Sequence, residues 1–147
     1  MSRRDLIRMT DDEVQEFLNG RHVMNIATFG PDGNIHLVAM WYGFINGNTA
    51  IETFAKSQKV RNVERDPRTV ISMDAPRTPG VFLNPYAVVH AHATVEPSDE
   101  AWDLLDRLAK VYVSPDTTFP APQRPGFVIR YRIERIGGVG PWVASNS

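Results

Sequence analysis

From residue 23 onward, apolar positions alternate with polar ones in short runs, and turn-forming residues separate the runs. A period of two places successive side chains on opposite faces of an extended strand. The pattern predicts strands over residues 23–29, 34–45, 49–54, 69–75, 86–95 and 126–136. Gly30-Pro-Asp-Gly33 separates the first two runs and Asn46-Gly47 the next two. Asn-Gly suits a type I′ turn, where both central residues need positive φ. Residues 23–54 therefore read as a meander of three consecutive antiparallel strands. In the fifth run Ala87, Val89, Ala91, Ala93 and Val95 form a small apolar face, with Val88, His90, His92 and Thr94 opposite. In the sixth, Phe127, Ile129, Tyr131 and Ile133 face the core against Val128, Arg130, Arg132 and Glu134.

Three segments switch to helical spacing. Thr10 and Glu13 fit a capping box, Val14, Phe17 and Leu18 follow at core spacing, and Asn19-Gly20 closes the helix. Ser98 is expected to cap a helix through about Val113, with Trp102, Leu105, Leu108 and Tyr112 on one face. Between them, Ser57 caps a short helix that ends at Asp66-Pro67, because proline disfavours α geometry in the residue before it. Val60 and Val63 give this helix an apolar edge, which turns Lys59, Arg61, Asn62 and Arg65 outward. Residues 114–125 hold four prolines and read as a loop, and Gly137-Gly-Val-Gly140 as a tail turn. Six strands with hairpin connections and two or three helices predict a mainly β fold, a six-stranded antiparallel barrel with helices at its ends. An α+β sandwich is the alternative.

The middle helix carries the clearest chemical signal. A helix start leaves backbone N–H groups unpaired at the positive end of the dipole, and Lys59 adds a charge there, so the site suits an anion. The same residues also describe an ordinary solvated helix. Lys56, Arg61 and Arg65 bring more positive charge to this region than one phosphate needs. Phe29, Trp41, Tyr42, Phe44 and Phe54 cluster around the second predicted strand, mostly to fill the core. An aromatic-lined cleft beside an anion site suits a flat, phosphorylated ring compound.

The totals narrow the field. A chain of 147 residues fits one domain, 1–147, and can bury a core without disulfide or metal staples. A net charge of −1 and a pI near 6.4 argue against bulk nucleic-acid binding. With no cysteine, thiolate catalysis and Cys-ligated metal centres are excluded. No apolar run approaches a membrane-spanning length of ~20 residues. The first residues lack the apolar stretch of a signal peptide, so a soluble, cytoplasmic protein without membrane association is expected. His90 and His92 share a strand face and could begin a metal site, but spacing fixes no third ligand, so half-buried polar-face histidines and no metal are expected. His22 and His36 are isolated, and no nucleophile-elbow, Walker or dinucleotide-binding pattern occurs.

The strings Gly33-Asn-Ile-His-Leu-Val-Ala-Met-Trp-Tyr-Gly-Phe44, Thr53 to Gln58, and Lys59-Val-Arg-Asn-Val-Glu-Arg-Asp-Pro-Arg68 resemble the pyridoxamine-phosphate-oxidase-like split β-barrel flavoproteins. Within these, the chain is most similar to the F420-dependent oxidoreductase branch, found in actinobacteria, whose deazaflavin carries a phosphate and an oligoglutamate tail. The resemblance implies a homodimer with cofactors in clefts between subunits. It places the ring along His36, Val38, Ala39 and Met40 and along Thr53, Phe54 and Ala55. Ser57, Gln58 and Lys59 hold the phosphate, Arg61 and Asn62 lie alongside, and Tyr86 borders the site from the neighbouring subunit. Large apolar groups on the barrel's outer faces, Trp41 and Tyr42 among them, would be buried between subunits. Relatives that use FMN carry an arginine where Val38 stands and an Arg-Lys pair where Gln58 precedes Lys59, which argues against vitamin B6 oxidation. The implied activity is hydride transfer from reduced F420 to a conjugated small-molecule acceptor, with no catalytic side chain named. The alternatives are an FMN-binding oxidoreductase and a non-catalytic flavin- or tetrapyrrole-binding protein.

Overall fold

Seven antiparallel strands form one sheet in a computed structural model of the chain, which describes residues 8–20, 22–45, 48–53 and 57–140. The strands are β1 (Met24–Phe29), β2 (Ile35–Met40), β3 (Gly43–Ile45), β4 (Asn48–Thr53), β5 (Arg68–Asp74), β6 (Tyr86–Ser98) and β7 (Gly126–Val139). Helices α1 (Asp11–Asn19), α2 (Gln58–Arg65) and α3 (Ala101–Tyr112) complete the fold. The order across the sheet is β2-β1-β5-β6-β7-β4-β3.

This order corrects the expected meander and the strand count. The single strand expected over residues 34–45 breaks at Trp41-Tyr42, and its halves lie at opposite edges of the sheet. β1 pairs with β2, β3 pairs with β4, and β4 turns away to pair with β7. Among the described residues no ladder joins β2 to β3, so the sheet is open there instead of a closed six-stranded barrel. The break has its cause in partners distant in sequence. Tyr42 is 0% exposed and its hydroxyl donates to the Leu18 carbonyl at 2.5 Å, so its side chain is drawn into the core beneath the end of α1. The Tyr112 hydroxyl donates to the His22 carbonyl at 3.0 Å, and its ring stacks on Trp41 with centroids 5.2 Å apart. Both residues favour strands, so alternation alone hides the interruption. The Asn46-Gly47 turn lies outside the described residues, but Ile45 pairs with Asn48, as a two-residue hairpin loop requires.

The main core lies on one face of the sheet. Met24, Ile26, Ile71, Met73, Val89 and Ile129 are buried there, with Ala87, Ala91 and Ala93 as expected. α1 covers it with Val14, Phe17 and Leu18, and α2 with Val60 and Val63. The capping box of α1 is present: Glu13 N–H donates to Thr10 Oγ1 at 3.2 Å, and Thr10 N–H donates to the Glu13 carboxylate at 2.8 Å.

A second cluster on the other face corrects two expectations. Val128, expected outside, is 1% exposed because α3 lies on it with Ala101, Leu104 and Leu108. Gly43 permits this approach, since a Cβ there would stand 2.9 Å from a Leu108 methyl. The stripe of α3 facing the sheet is thus shifted from the one expected. Trp102 instead donates from Nε1 to the Ala121 carbonyl at 2.7 Å, and Asp106 accepts from Phe119 N–H at 2.9 Å. These bonds tie the proline-rich loop down along the helix. Nor does Ser98 cap α3; Glu100 holds that position without a side-chain bond.

In β7 a register shift opposite His90 and Ala91 turns Ile133 out of the core, leaving it 40% exposed. Gly137 and Gly138 continue this strand, where a tail turn was expected. Met9 N–H donates to the Gly138 carbonyl at 2.8 Å, and any Cβ at Gly138 would collide with the Met9 side chain. Among the described residues no helix is long and apolar enough to cross a membrane.

Candidate cofactor site

The candidate site lies where the start of α2 meets β1, beside the edge strand β2. Ser57 caps α2 with extended backbone, φ −70° and ψ 171°, and its hydroxyl accepts from Val60 N–H at 3.4 Å. The start of α2 presents first-turn backbone N–H groups at the positive end of the helix dipole, a geometry that suits an anion.

The side chains of α2 depart from the expected outward basic face. Lys59 is 5% exposed and Asn62 0%, whereas Gln58, Arg61 and Arg65 are exposed. The helix sinks its valine edge into the core, and residues flanking that edge on a 3.6-residue period are covered with it. A surface-lysine argument for Lys59 therefore does not hold. Arg65 also departs. It donates to the Phe29 carbonyl at 2.5 Å and sits at the far end of a helix about 10 Å long. Its guanidinium also donates to Asn62 Oδ1 at 3.4 Å, the oxygen that accepts from Gln58, so it joins the polar network along the helix.

Asn62 joins α2 to β1, the neighbour of β2. Gln58 Nε2 donates to Asn62 Oδ1 at 2.7 Å, and Asn62 Nδ2 donates to Thr28 Oγ1 at 3.1 Å. Thr28, 1% exposed, stands directly across the β1–β2 ladder from His36. His36 Nδ1 is buried and has no hydrogen-bond partner among the described residues. Four polar side chains thus run from the helix start to the sheet edge, and three of them, His36, Gln58 and Asn62, are residues the resemblance implies. Thr28 was missed, although its signal was readable: a polar residue in register with Met24 and Ile26 on a core face.

Beyond the helix, Arg68 pairs with Asp66 at 2.7 Å and lies over the Phe29 ring at 4.7 Å. Its hydrogen bonds hold the Asp66 carboxyl down to about 2.

The β2 residues divide between two faces. His36, Val38 and Met40 are half-buried and share the face of Met24 and Ile26, while Ala39 is exposed on the other. Ile35 and Leu37, on the face of Ala39, are 67% and 65% exposed. Because β2 is an edge, its outward N–H and C=O groups have no strand partner among the described residues, and a flat ring can lie against that edge and bond to main chain. At the end of β2, Val23, Ala39, Met40, Trp41 and Leu105 line an apolar cleft of about 290 Å³.

Thr53 closes β4 opposite Phe127. Phe54 and Ala55 lie outside the described residues, as do Lys56 and Trp142. Tyr86, 37% exposed, begins β6, three strands from β2 and so about 14 Å across the sheet. A single chain does not bring it to α2.

Elsewhere, His92, Thr94, Arg130, Tyr131 and Arg132 line a cleft of about 360 Å³. Arg130 is paired there with Glu96 at 2.8 Å. Burial pushes the Tyr131 phenol up. His90 and His92 are half-buried, and among the described residues no three metal-ligating side chains are grouped.

Residues 10–140 match the family model described as pyridoxamine 5′-phosphate oxidase. A conserved hypothetical protein of Mycobacterium tuberculosis is similar in structure, with 29% identity and a TM-score of 0.75 over 95% of this chain and 90% of that one. A structure described as an F420 reductase shares 25% identity and a TM-score of 0.64, covering 79% of this chain and 89% of its own. An FAD-binding protein from Mesorhizobium loti shares the fold at 18% identity, with a TM-score of 0.65 over 89% and 94% of the two chains. No curated protein matches the sequence.

Proposed function

The chain belongs to the pyridoxamine 5′-phosphate oxidase family, and from that premise we propose that it is a reductase using the deazaflavin F420 on a conjugated small molecule. Membership and fold support an oxidoreductase with a flavin-type cofactor. The observation that supports the finer reading is the polar string that ties a capped helix start to β1, directly beside the edge strand β2. The F420 reductase at 25% identity supports the choice of cofactor.

The residues present fit such a group. The N–H groups of Gln58 and Lys59, the Ser57 hydroxyl and the exposed Arg61 guanidinium would hold its phosphate. The edge of β2 would hold the ring, and His36 Nδ1 offers a buried polar atom still lacking a partner. When bound, F420 supplies a hydride donor. The chain's task is to fix its plane, exclude water with Val38 and Met40, and leave the exposed side open to the acceptor. Val38 brings no charge to the ring, and a single lysine beside Gln58 is a weaker phosphate clamp than an Arg-Lys pair, so FMN is the poorer fit.

Titration of the purified protein with F420 and with FMN, at low and at high salt, tests this. We expect F420 to bind more tightly, with the steeper salt dependence, because its tail adds carboxylates near Arg61 that are screened over ~10 Å at 0.1 M salt. Tighter binding of FMN with equal salt slopes would replace F420 by FMN in the assignment.

We also propose a two-fold homodimer with Tyr86 reaching the partner's site. The premise differs from the one read in sequence: Tyr42 is already buried within its own chain and Trp41 is half-buried against Tyr112. The most exposed large apolar side chains among the described residues are instead Ile35, Leu37 and Phe82, the last 99% exposed. Light scattering at micromolar concentration should give twice the mass of 16.5 kDa; a stable monomer removes the shared cleft.

A further inference from the structure

The cleft between β6 and β7 opens on the face of the sheet opposite α2. Along β7, Ile129 and Tyr131 point into the main core that α2 covers, so Arg130 and Arg132 point the other way, on the face of Val128. The ladder sets Thr94 against Arg130 and His92 against Arg132. Paired residues share a face, so the cleft holds two rungs ~7 Å apart, each with one guanidinium and one further donor. Its volume of about 360 Å³ suits a small ligand.

Carboxylates offset the two arginines. Arg130 donates from Nε to Glu96 at 2.8 Å, which orients its fork of donors. Glu134 stands 3.7 Å from Arg132, too far for a hydrogen bond, and both side chains are exposed. A stronger anion displaces such a contact at little cost. Across the other ladder Arg68 stands opposite His92, but two hydrogen bonds tie it to Asp66. Farther along β6, His90 lies opposite Arg135. Among these groups only the imidazoles titrate near neutral pH. Within the cleft two arginines face two carboxylates, so His92 decides whether it is neutral or positive.

We infer that this cleft is a further ligand site, taking a small molecule with two linked phosphates, and that protonation of His92 gates it. Each rung takes one phosphate: Arg132 with His92, and Arg130 with Thr94. Guanidinium forks match phosphate oxygens, which makes these pairs specific as well as strong. Neither α2 nor β2 takes part, so the inference stands apart from the reductase reading.

The probe is inorganic pyrophosphate, titrated at constant ionic strength while backbone amides are followed by 15N NMR. The amides of Thr94 and Arg132 report this cleft, and that of Gln58 reports any separate binding at the start of α2. The Thr94 and Arg132 signals should saturate together. Arg132→Gln should weaken the affinity they report by about tenfold or more and leave the Gln58 response unchanged. Arg130→Gln gives the same readout should the first variant not fold. His92→Gln should cost about tenfold at pH 5.5 and nothing at pH 8. Comparing variant with wild type at each pH cancels the ligand's own titration. By linkage, saturating pyrophosphate should then raise the His92 pKa in the wild type by about one unit. Succinate, with two single charges, should bind more weakly. No saturable shift at Thr94 and Arg132, an equal response to sulfate, or a His92→Gln loss that is the same at both pH values would each overturn the inference. Succinate binding as tightly as pyrophosphate would overturn the assignment to a diphosphate.

Discussion

Tyr42→Ala is expected to cost about 3–5 kcal/mol of stability, the range for removing a fully buried aromatic side chain. At roughly 2–4 °C per kcal/mol for a chain of this size, the melting temperature should fall by about 10–15 °C. Tyr42 is 0% exposed and sits in the two-residue link between opposite sheet edges, so the cavity would open where the fold is joined. Tyr42→Phe keeps the ring and loses only the bond to the Leu18 carbonyl, and should cost about 1 kcal/mol. Thermal melts of the two variants check the ratio. Equal losses would mean that the hydroxyl, and not the packing, holds the link.

Asn62→Ala should cost about 2–3 kcal/mol, because it leaves the buried Thr28 Oγ1 without its donor and removes the acceptor shared by Gln58 and Arg65. Thr28→Val should cost about 1 kcal/mol, and the double variant should fall short of the sum by more than about 0.5 kcal/mol, as expected for groups in one network. Gln58→Ala, at the exposed end, should stay within about 0.5 kcal/mol of wild type. Denaturant unfolding of the four proteins gives these values directly. Additive losses would show that α2 and β1 are not coupled through this string.

Much of the frame was legible because it is local. The capping box at Thr10, the cap at Ser57 and the small apolar face of β6 each follow from a few neighbouring residues. What could not be read depended on distant partners. Nothing in the alternation of residues 34–45 reports that Leu18 and Tyr112 wait to receive Tyr42. Val128 reads as an outward position until α3 is laid over it. For the candidate site the division is similar. The anion-suited start of α2 was visible in Ser57 and the residues after it, whereas the burial of Lys59 and Asn62 came from the depth to which the helix docks. The string to Thr28 spans 34 residues of sequence, a pairing that spacing cannot announce.

The split of one apparent strand between two sheet edges also orders the assembly of the chain. β1, β2, β5 and β6 can pair as soon as residues through about 98 have left the ribosome, each with a neighbour already made. The β3–β4 hairpin has no such neighbour, because β4 enters the sheet beside β7, pairing Thr53 with Phe127. Closing that loop of roughly seventy residues costs about 2–3 kcal/mol more than closing a hairpin. Half of the proposed cofactor-binding segment thus waits for β7, and a nascent chain released before residue 126 holds an unpaired hairpin next to a half-made candidate site.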